Sequence, residues 1–125
     1  MNNTVNPGVE HWLQFEDLPE AGTYKINFQV HHLGNVFIRS LHGGVTGATM
    51  EMAAEKVTRG EITDDADLMI VSSSIDYLRI TKDSDLFAKA DILRRSKRLC
   101  VVDVMCWQDD PDVPVAHGII TLKIS

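Results

Sequence analysis

Leu41-His42-Gly43-Gly44-Val45-Thr46-Gly47-Ala48-Thr49-Met50-Glu51-Met52-Ala53-Ala54-Glu55-Lys56-Val57-Thr58 sets small and apolar side chains at helical intervals. Val45, Ala48, Thr49, Met52, Ala53 and Val57 recur with the spacing of one helix face. Gly47, Ala48, Ala53 and Ala54 are small enough to let that helix lie close against neighbouring backbone. The pattern predicts a buried helix over 44–58, closed by Arg59-Gly60. Upstream, Tyr24, Ile26, Phe28 and Val30 alternate with Lys25, Asn27, Gln29 and His31, the period of a half-buried strand. Gly34-Asn35 ends it, and a loop runs to about Leu41. Residues 1–20 read as an irregular entry segment with a short helix around 9–15. Downstream, four strands are expected at 68–80, 86–93, 99–107 and 115–124, separated by turns such as Asp83-Ser84-Asp85 and Asp109-Asp110-Pro111-Asp112. One apolar helix and one long antiparallel sheet must bury each other. The expectation is an α+β chain in which a curved sheet wraps a central helix, with residues 1–125 forming one domain.

Bulk properties narrow the function. Hydrophobic residues make up 44% and charged residues 24% of the 125, as in ordinary globular domains. No apolar run approaches the roughly 20 residues of a membrane span, and the polar stretch 1–8 lacks a secretory pattern. A net charge of −6 argues against a general nucleic-acid binder. The basic residues are uneven, however: Arg94, Arg95, Lys97 and Arg98 crowd into one stretch, fitting either a small anionic ligand or a solvated hairpin turn. Cys100 and Cys106 share one strand face too far apart to bridge, so they read as reduced core thiols and place the chain in the cytoplasm. No metal site or cofactor is expected: His31 and His32 point to opposite faces if they lie in a strand, and His11 and His117 lack acidic or cysteine partners at metal spacing.

Glu51 carries the clearest chemical signal. A carboxylate two turns into a helix of small residues is costly to bury unpaired, and desolvation would raise its pKa toward that of a useful general base. The bland alternative turns Glu51 to solvent opposite Lys56 or Arg59. Gly43 and Gly44 open the helix, where free N–H groups and the positive dipole end gather. They suit close approach of a ligand to backbone, or simply a tight loop-to-helix turn. His42 is a site residue or a structural hydrogen-bonding histidine.

Taken in order, these residues resemble the hot-dog fold, specifically its PaaI-like acyl-CoA thioesterase branch. The matches are Leu41-His42-Gly43-Gly44-Val45 with Glu51 nine positions after the histidine; Ile75-Asp76-Tyr77-Leu78-Arg79, similar to the family's Ile-Asp-Phe-Leu-Arg-Pro; the run from Ala90 through Arg94 and Lys97 to Asp103; and Val115-Ala116-His117-Gly118. Asn35 stands seven residues before His42, where the family often has an asparagine at six. Ile70 stands where many relatives place a Ser or Thr, with Ser72 two residues on. The resemblance implies hydrolysis of an acyl-CoA thioester. Glu51 would act as general base or nucleophile, the Gly44 amide would hold the carbonyl oxygen, and His42 would position the loop or the thioester. It also implies sites formed between subunits of a homodimer or homotetramer, with Ser72 or Ser73 offered by the second chain. The density of Arg94, Arg95, Lys97 and Arg98 on an otherwise acidic chain leads to the expectation that one or more of them meets the phosphates of coenzyme A. Trp12, Phe15 and Trp107 are assigned to core packing rather than to an acyl pocket. Two rival readings are a hot-dog hydratase or dehydratase pairing His42 with Glu51, and a non-catalytic acyl-CoA-binding domain. Neither nucleic acid nor membrane is implied as a partner.

Overall fold

The structure, a computed structural model, describes residues 7–35, 37–62 and 65–125. The polar start of the chain, on which the argument against a secretory pattern rests, falls largely on 1–6 and lies outside the described residues.

A six-stranded antiparallel sheet in the order β1-β2-β6-β7-β8-β5 curls around one long helix, α2 (Gly43–Glu61). Its strands are β1 (Phe15–Asp17), β2 (Thr23–Ile26), β5 (Leu68–Tyr77), β6 (Leu86–Arg95), β7 (Leu99–Trp107) and β8 (Ala116–Ile124), and a small hairpin of β3 (Leu33–Asn35) and β4 (Ser40–Leu41) precedes the helix. The core is the inner face of the sheet against α2. Val102, Val104 and Cys106 from β7 and Ile120 and Leu122 from β8 are fully buried against Met50, Ala53 and Ala54. Strict alternation along β7 and β8 puts these residues on one face. Cys100 and Cys106 are buried and unbridged, and burial pushes the Cys106 thiol up to about 12, too high for a nucleophile at neutral pH.

Several sequence expectations need correction. The helix is not closed by Arg59-Gly60; it runs through to Glu61, with Ile62 as C-cap. The first strand stops at Ile26, and Val30–His32 form a 3-10 turn whose start is closed by reciprocal contacts of Gln29 and His32. His31 and His32 are therefore not on opposite faces of a strand: both rings reach the Trp12 carbonyl, at 2.7 and 3.0 Å. The entry segment holds a helix, α1 (Pro7–Leu13), and strand β1, and the supposed loop before Leu41 contains the β3–β4 hairpin. The strand expected to reach residue 80 ends at Tyr77. Phe15 is buried as expected, whereas Trp12 is exposed and Trp107 stacks on Phe87 outside the core.

Two bulges bend the sheet. Ile70 pairs with Leu122 and Ser72 with Thr121, so Val71 has no partner. Ile92 pairs with Val102 and Arg94 with Val101, leaving Leu93 unpaired. Each extra residue inverts which side chains face inward beyond it and increases local curvature.

Gly118 lies where β8 passes beneath the helix. A Cβ there would sit 2.9 Å from both Met50 Cε and the Ser74 carbonyl oxygen and 3.1 Å from Ile75 Cγ1. Since one of these neighbours is backbone, Gly118→Ala is expected to lower stability by about 2 kcal/mol through overpacking, measured as the shift of the urea midpoint.

Candidate active site

The β3–β4 hairpin delivers His42 to the start of α2. The Leu41 amide donates to Thr81 Oγ1 at 2.9 Å and the His42 amide to the His32 carbonyl at 2.8 Å. Gly34 passes so close that a Cβ on it would lie 3.0 Å from His42 Cα. Thus pinned, His42 is the N-cap of α2, and its Nδ1 accepts from the Gly44 amide at 2.9 Å. A neutral imidazole whose Nδ1 accepts carries its proton on Nε2, so the exposed His42 ring presents an N–H donor outward. The Gly44 amide, expected to hold an oxyanion, is engaged by His42. The two are a linked pair of candidate donors, and a ligand oxygen at this end would share or replace that bond.

Glu51 is half-buried two turns into α2, and Ser73 Oγ donates to its Oε2 at 2.7 Å. This contact corrects two expectations. Ser72 was placed on the same strand face as Ile70, but the Val71 bulge turns Ser72 outward, in register with Thr121, and brings Ser73 inward opposite the buried Ile120. Ser73 reaches Glu51 from within the same chain and needs no second subunit to do so. The inversion also turns Tyr77 inward, where its hydroxyl donates to the Gly43 carbonyl at 3.1 Å. Tyr77 was read only as part of a strand motif.

Asn35 does not meet Glu51 in these contacts. Its Oδ1 accepts from the Phe37 and Ile38 amides at 2.9 and 3.4 Å, closing the hairpin's own turn. Arg94, Arg95, Lys97 and Arg98 lie at the opposite end of the sheet, the end where Thr58 near the foot of α2 touches Cys100 Sγ. None of the four has an ion-pair partner among the described residues, nor does Lys123, which with Lys97 and Arg98 lines a cleft of about 660 Å³. His117, which has no acidic or cysteine neighbour at metal spacing in the sequence, meets a carboxylate across the strands: its Nε2 lies 2.5 Å from Asp103 Oδ1 on the outer sheet face.

One turn beyond Glu51, Glu55 occupies the same side of α2. Burial first, then the Glu51 charge, push its carboxyl up to about 7, against the pull of Arg59.

Residues 35–123 match the family described as the acyl-CoA thioesterase N-terminal domain. The chain belongs to that family. It is an acyl-CoA thioesterase, a thioester hydrolase with the hot-dog fold. Solved structures agree on the fold. The Bacillus halodurans protein BH2602, solved with CoA, superposes with a TM-score of 0.82 at 19% identity, over 94% of this chain and 75% of that one. The E. coli PaaI protein gives 0.81 at 17% identity, covering 94% and 84%. AziG from S. sahachiroi gives 0.79 at 25% identity, covering 95% and 96%. No curated protein matches this thioesterase in sequence.

The Glu55 shift has a sign that can be checked. A carboxyl whose folded pKa exceeds its ordinary value of 4.5 costs stability as pH rises from about 4.5 through about 7, because the folded state holds the proton more tightly. Glu55→Gln, permanently neutral, is expected to match the parent near pH 4 and to exceed it at pH 8 by about 1–2 kcal/mol after allowance for partial exposure, measured by urea unfolding at both pH values.

Proposed function

We propose that Glu51 is the general base of the thioesterase. Its carboxylate takes a proton from water, the resulting hydroxide adds to the thioester carbonyl carbon, and the carbonyl oxygen becomes an oxyanion at the N-terminus of α2. The Gly44 amide and the His42 Nε2–H are the donors available there, reinforced by the helix dipole. Collapse of the adduct breaks the C–S bond, and the coenzyme A thiolate leaves and is reprotonated. The observation that carries this reading is the Ser73–Glu51 contact of 2.7 Å, which fixes one carboxylate oxygen on the same stretch of helix that presents the donors. With one oxygen held by Ser73, water activation suits Glu51 better than direct attack to form an anhydride. His42 favours this over a hydratase, because its Nδ1 is committed to Gly44 rather than to Glu51.

The substrate is read as an acyl-CoA whose phosphates meet Arg94, Arg95, Lys97 or Arg98, with Lys123 added to the set. These cations lie far from the same chain's Gly44, so a second copy has to supply them. Edge strand β5 supports that assembly: it leaves Met69, Val71 and Tyr77 56%, 51% and 57% exposed, together with an unpaired row of backbone groups. Antiparallel pairing of two β5 strands would continue the sheet and carry the basic end of one protomer toward the α2 N-terminus of its partner. Ser72 then belongs to the outer face rather than to catalysis. The family assignment and the buried unbridged thiols support a cytoplasmic enzyme; among the described residues no helix is long and apolar enough to cross a membrane.

The mechanism is tested at Glu51. Glu51→Gln keeps the shape and loses the base, so kcat is expected to fall by at least about 100-fold with KM for acyl-CoA little changed, monitored by released thiol. Parent-like turnover in the folded variant would sink the role given to Glu51. The assembly is tested by light scattering, which should give at least twice the 14.0 kDa protomer mass at micromolar concentration. A stable monomer would remove the shared site.

A further inference from the structure

The peptide unit joining Gly43 to Gly44 is held from both ends. Its carbonyl accepts from the Tyr77 hydroxyl at 3.1 Å, and its N–H donates to His42 Nδ1 at 2.9 Å. A carbonyl in the first turn of a helix still has a lone pair for a second donor, so the Tyr77 bond adds to the helix ladder rather than competing with it. Gly47 makes the contact possible. It lies one turn along α2, where a Cβ would come 3.3 Å from the Tyr77 hydroxyl, so that the hydroxyl would have to give by a few tenths of an ångström. Ser73 and Tyr77, four residues apart on β5, thus reach the carboxylate and the donor end of α2 from the same side.

We propose that Tyr77 is a positioning residue for carbonyl polarisation: its hydroxyl fixes the plane of the Gly43–Gly44 peptide and polarises it, strengthening the donors that this peptide supports. Hydrogen bonds in series reinforce one another, because drawing electron density toward the Gly43 oxygen makes the Gly44 N–H more acidic. That N–H draws in turn on His42 Nδ1 and makes the outward Nε2–H a better donor. The relay is Tyr77 hydroxyl, peptide, imidazole, with the thioester oxygen at its end, whether that oxygen meets the imidazole or shares the amide. Tyr77 itself touches neither substrate nor reacting atoms. This rests on reading the α2 N-terminus as the carbonyl-binding end.

Two substitutions separate positioning from stability. Tyr77→Phe keeps the ring and removes only the donor. Its kcat is expected to fall about tenfold, less than the loss of a direct oxyanion donor, with KM and the unfolding midpoint unchanged. Gly47→Ala replaces a poor helix former by the best one, so stability should hold or rise, while the methyl crowds the hydroxyl and lengthens its 3.1 Å bond to Gly43, and kcat falls, though by less than in Tyr77→Phe. A merely structural Tyr77 predicts the reverse, a lower midpoint with turnover kept. The direct readout is the infrared carbonyl stretch of a thioester bound to Glu51→Gln, which is expected to be slow enough to hold its substrate. It should lie below the stretch in water and move back up when Tyr77→Phe is added. A lowered stretch that survives Tyr77→Phe, or unchanged kcat in both variants, overturns the role of Tyr77. A stretch not lowered at all overturns instead the reading of the helix end on which it stands.

Discussion

One unpaired residue, Val71, decides which side chains of β5 face the helix. Before it, Leu68 and Ile70 pack inward opposite Ile124 and Leu122; after it, Ser73, Ile75 and Tyr77 are the inward residues, opposite Ile120, Gly118 and Ala116. Without the bulge, regular alternation would turn Ser72, Ser74 and Asp76 toward the helix. Two of these are hydroxyls that could imitate Ser73 at a shifted height, but neither sits where it could replace Tyr77 over Gly43. The bulge therefore does two jobs with one irregularity: it bends the end of the sheet around α2, and it selects which half of a polar strand serves the site.

The start of α2 is built against the ordinary preferences of a helix. Ser, Thr, Asp and Asn are the favoured N-caps, and glycine is a poor choice for the first turn. Here a histidine caps and two glycines follow. The fold tolerates this because the end is held from outside, by the Thr81 hydroxyl, the His32 carbonyl, the closely packed Gly34 and the Tyr77 hydroxyl. Locally unfavourable choices that tertiary contacts sustain are a mark of functional sites. What this one gains is an exposed helix end with open space in front of Gly43 and the His42 ring, bonded to the Gly44 amide, beside it.

Much of this was legible in the sequence where side-chain period is strong. The bounds of β7 coincide with the alternation of Cys100, Val102, Val104 and Cys106, and α2 was visible from its spaced small residues, missed only by a turn at its end because Gly60 continues a helix that packing sustains. The bulges were not legible. Val71 and Leu93 are good strand residues, so nothing in residue type marks them as extra, and only the pairing partner reveals the mismatch. That one blind spot accounts for placing Ser72 on the Ile70 face and for overlooking that Tyr77 turns toward Gly43. Alternation misled at Phe28 and Val30 for the opposite reason: the apolar period is present, but the Phe28 amide is taken by Asp85 Oδ1 at 2.7 Å and the Gln29 amide by His32 Nδ1 at 3.1 Å, and the chain turns. Glu51, His42 and the glycines were singled out because their spacing is a motif, and the structure places the histidine and glycines at the start of α2 and Glu51 two turns along it. Glu55 carries the raised carboxyl and was missed because its burial depends on how α2 seats in the sheet.

The distribution of charge ties assembly to catalysis. Lys25, Arg39, Lys56, Lys82 and Lys89 each sit within reach of a carboxylate, so they do little beyond local neutralisation. Arg94, Arg95, Lys97, Arg98 and Lys123 have no such partner among the described residues, and all five cluster at the end of the sheet away from Gly44 and Glu51. Five such cations together make a local field suited to an anion, although Arg79, bonded among the described residues only to the Pro114 carbonyl, lies apart from them at the other end of the sheet. Within one protomer these five cations and the Glu51 end of α2 lie at opposite ends of the sheet. In the proposed assembly a two-fold axis beside β5 would bring the two together, because an antiparallel partner reverses the ends. In that assembly the strand whose bulge turns Ser73 and Tyr77 inward would also be the strand whose free edge meets the second protomer.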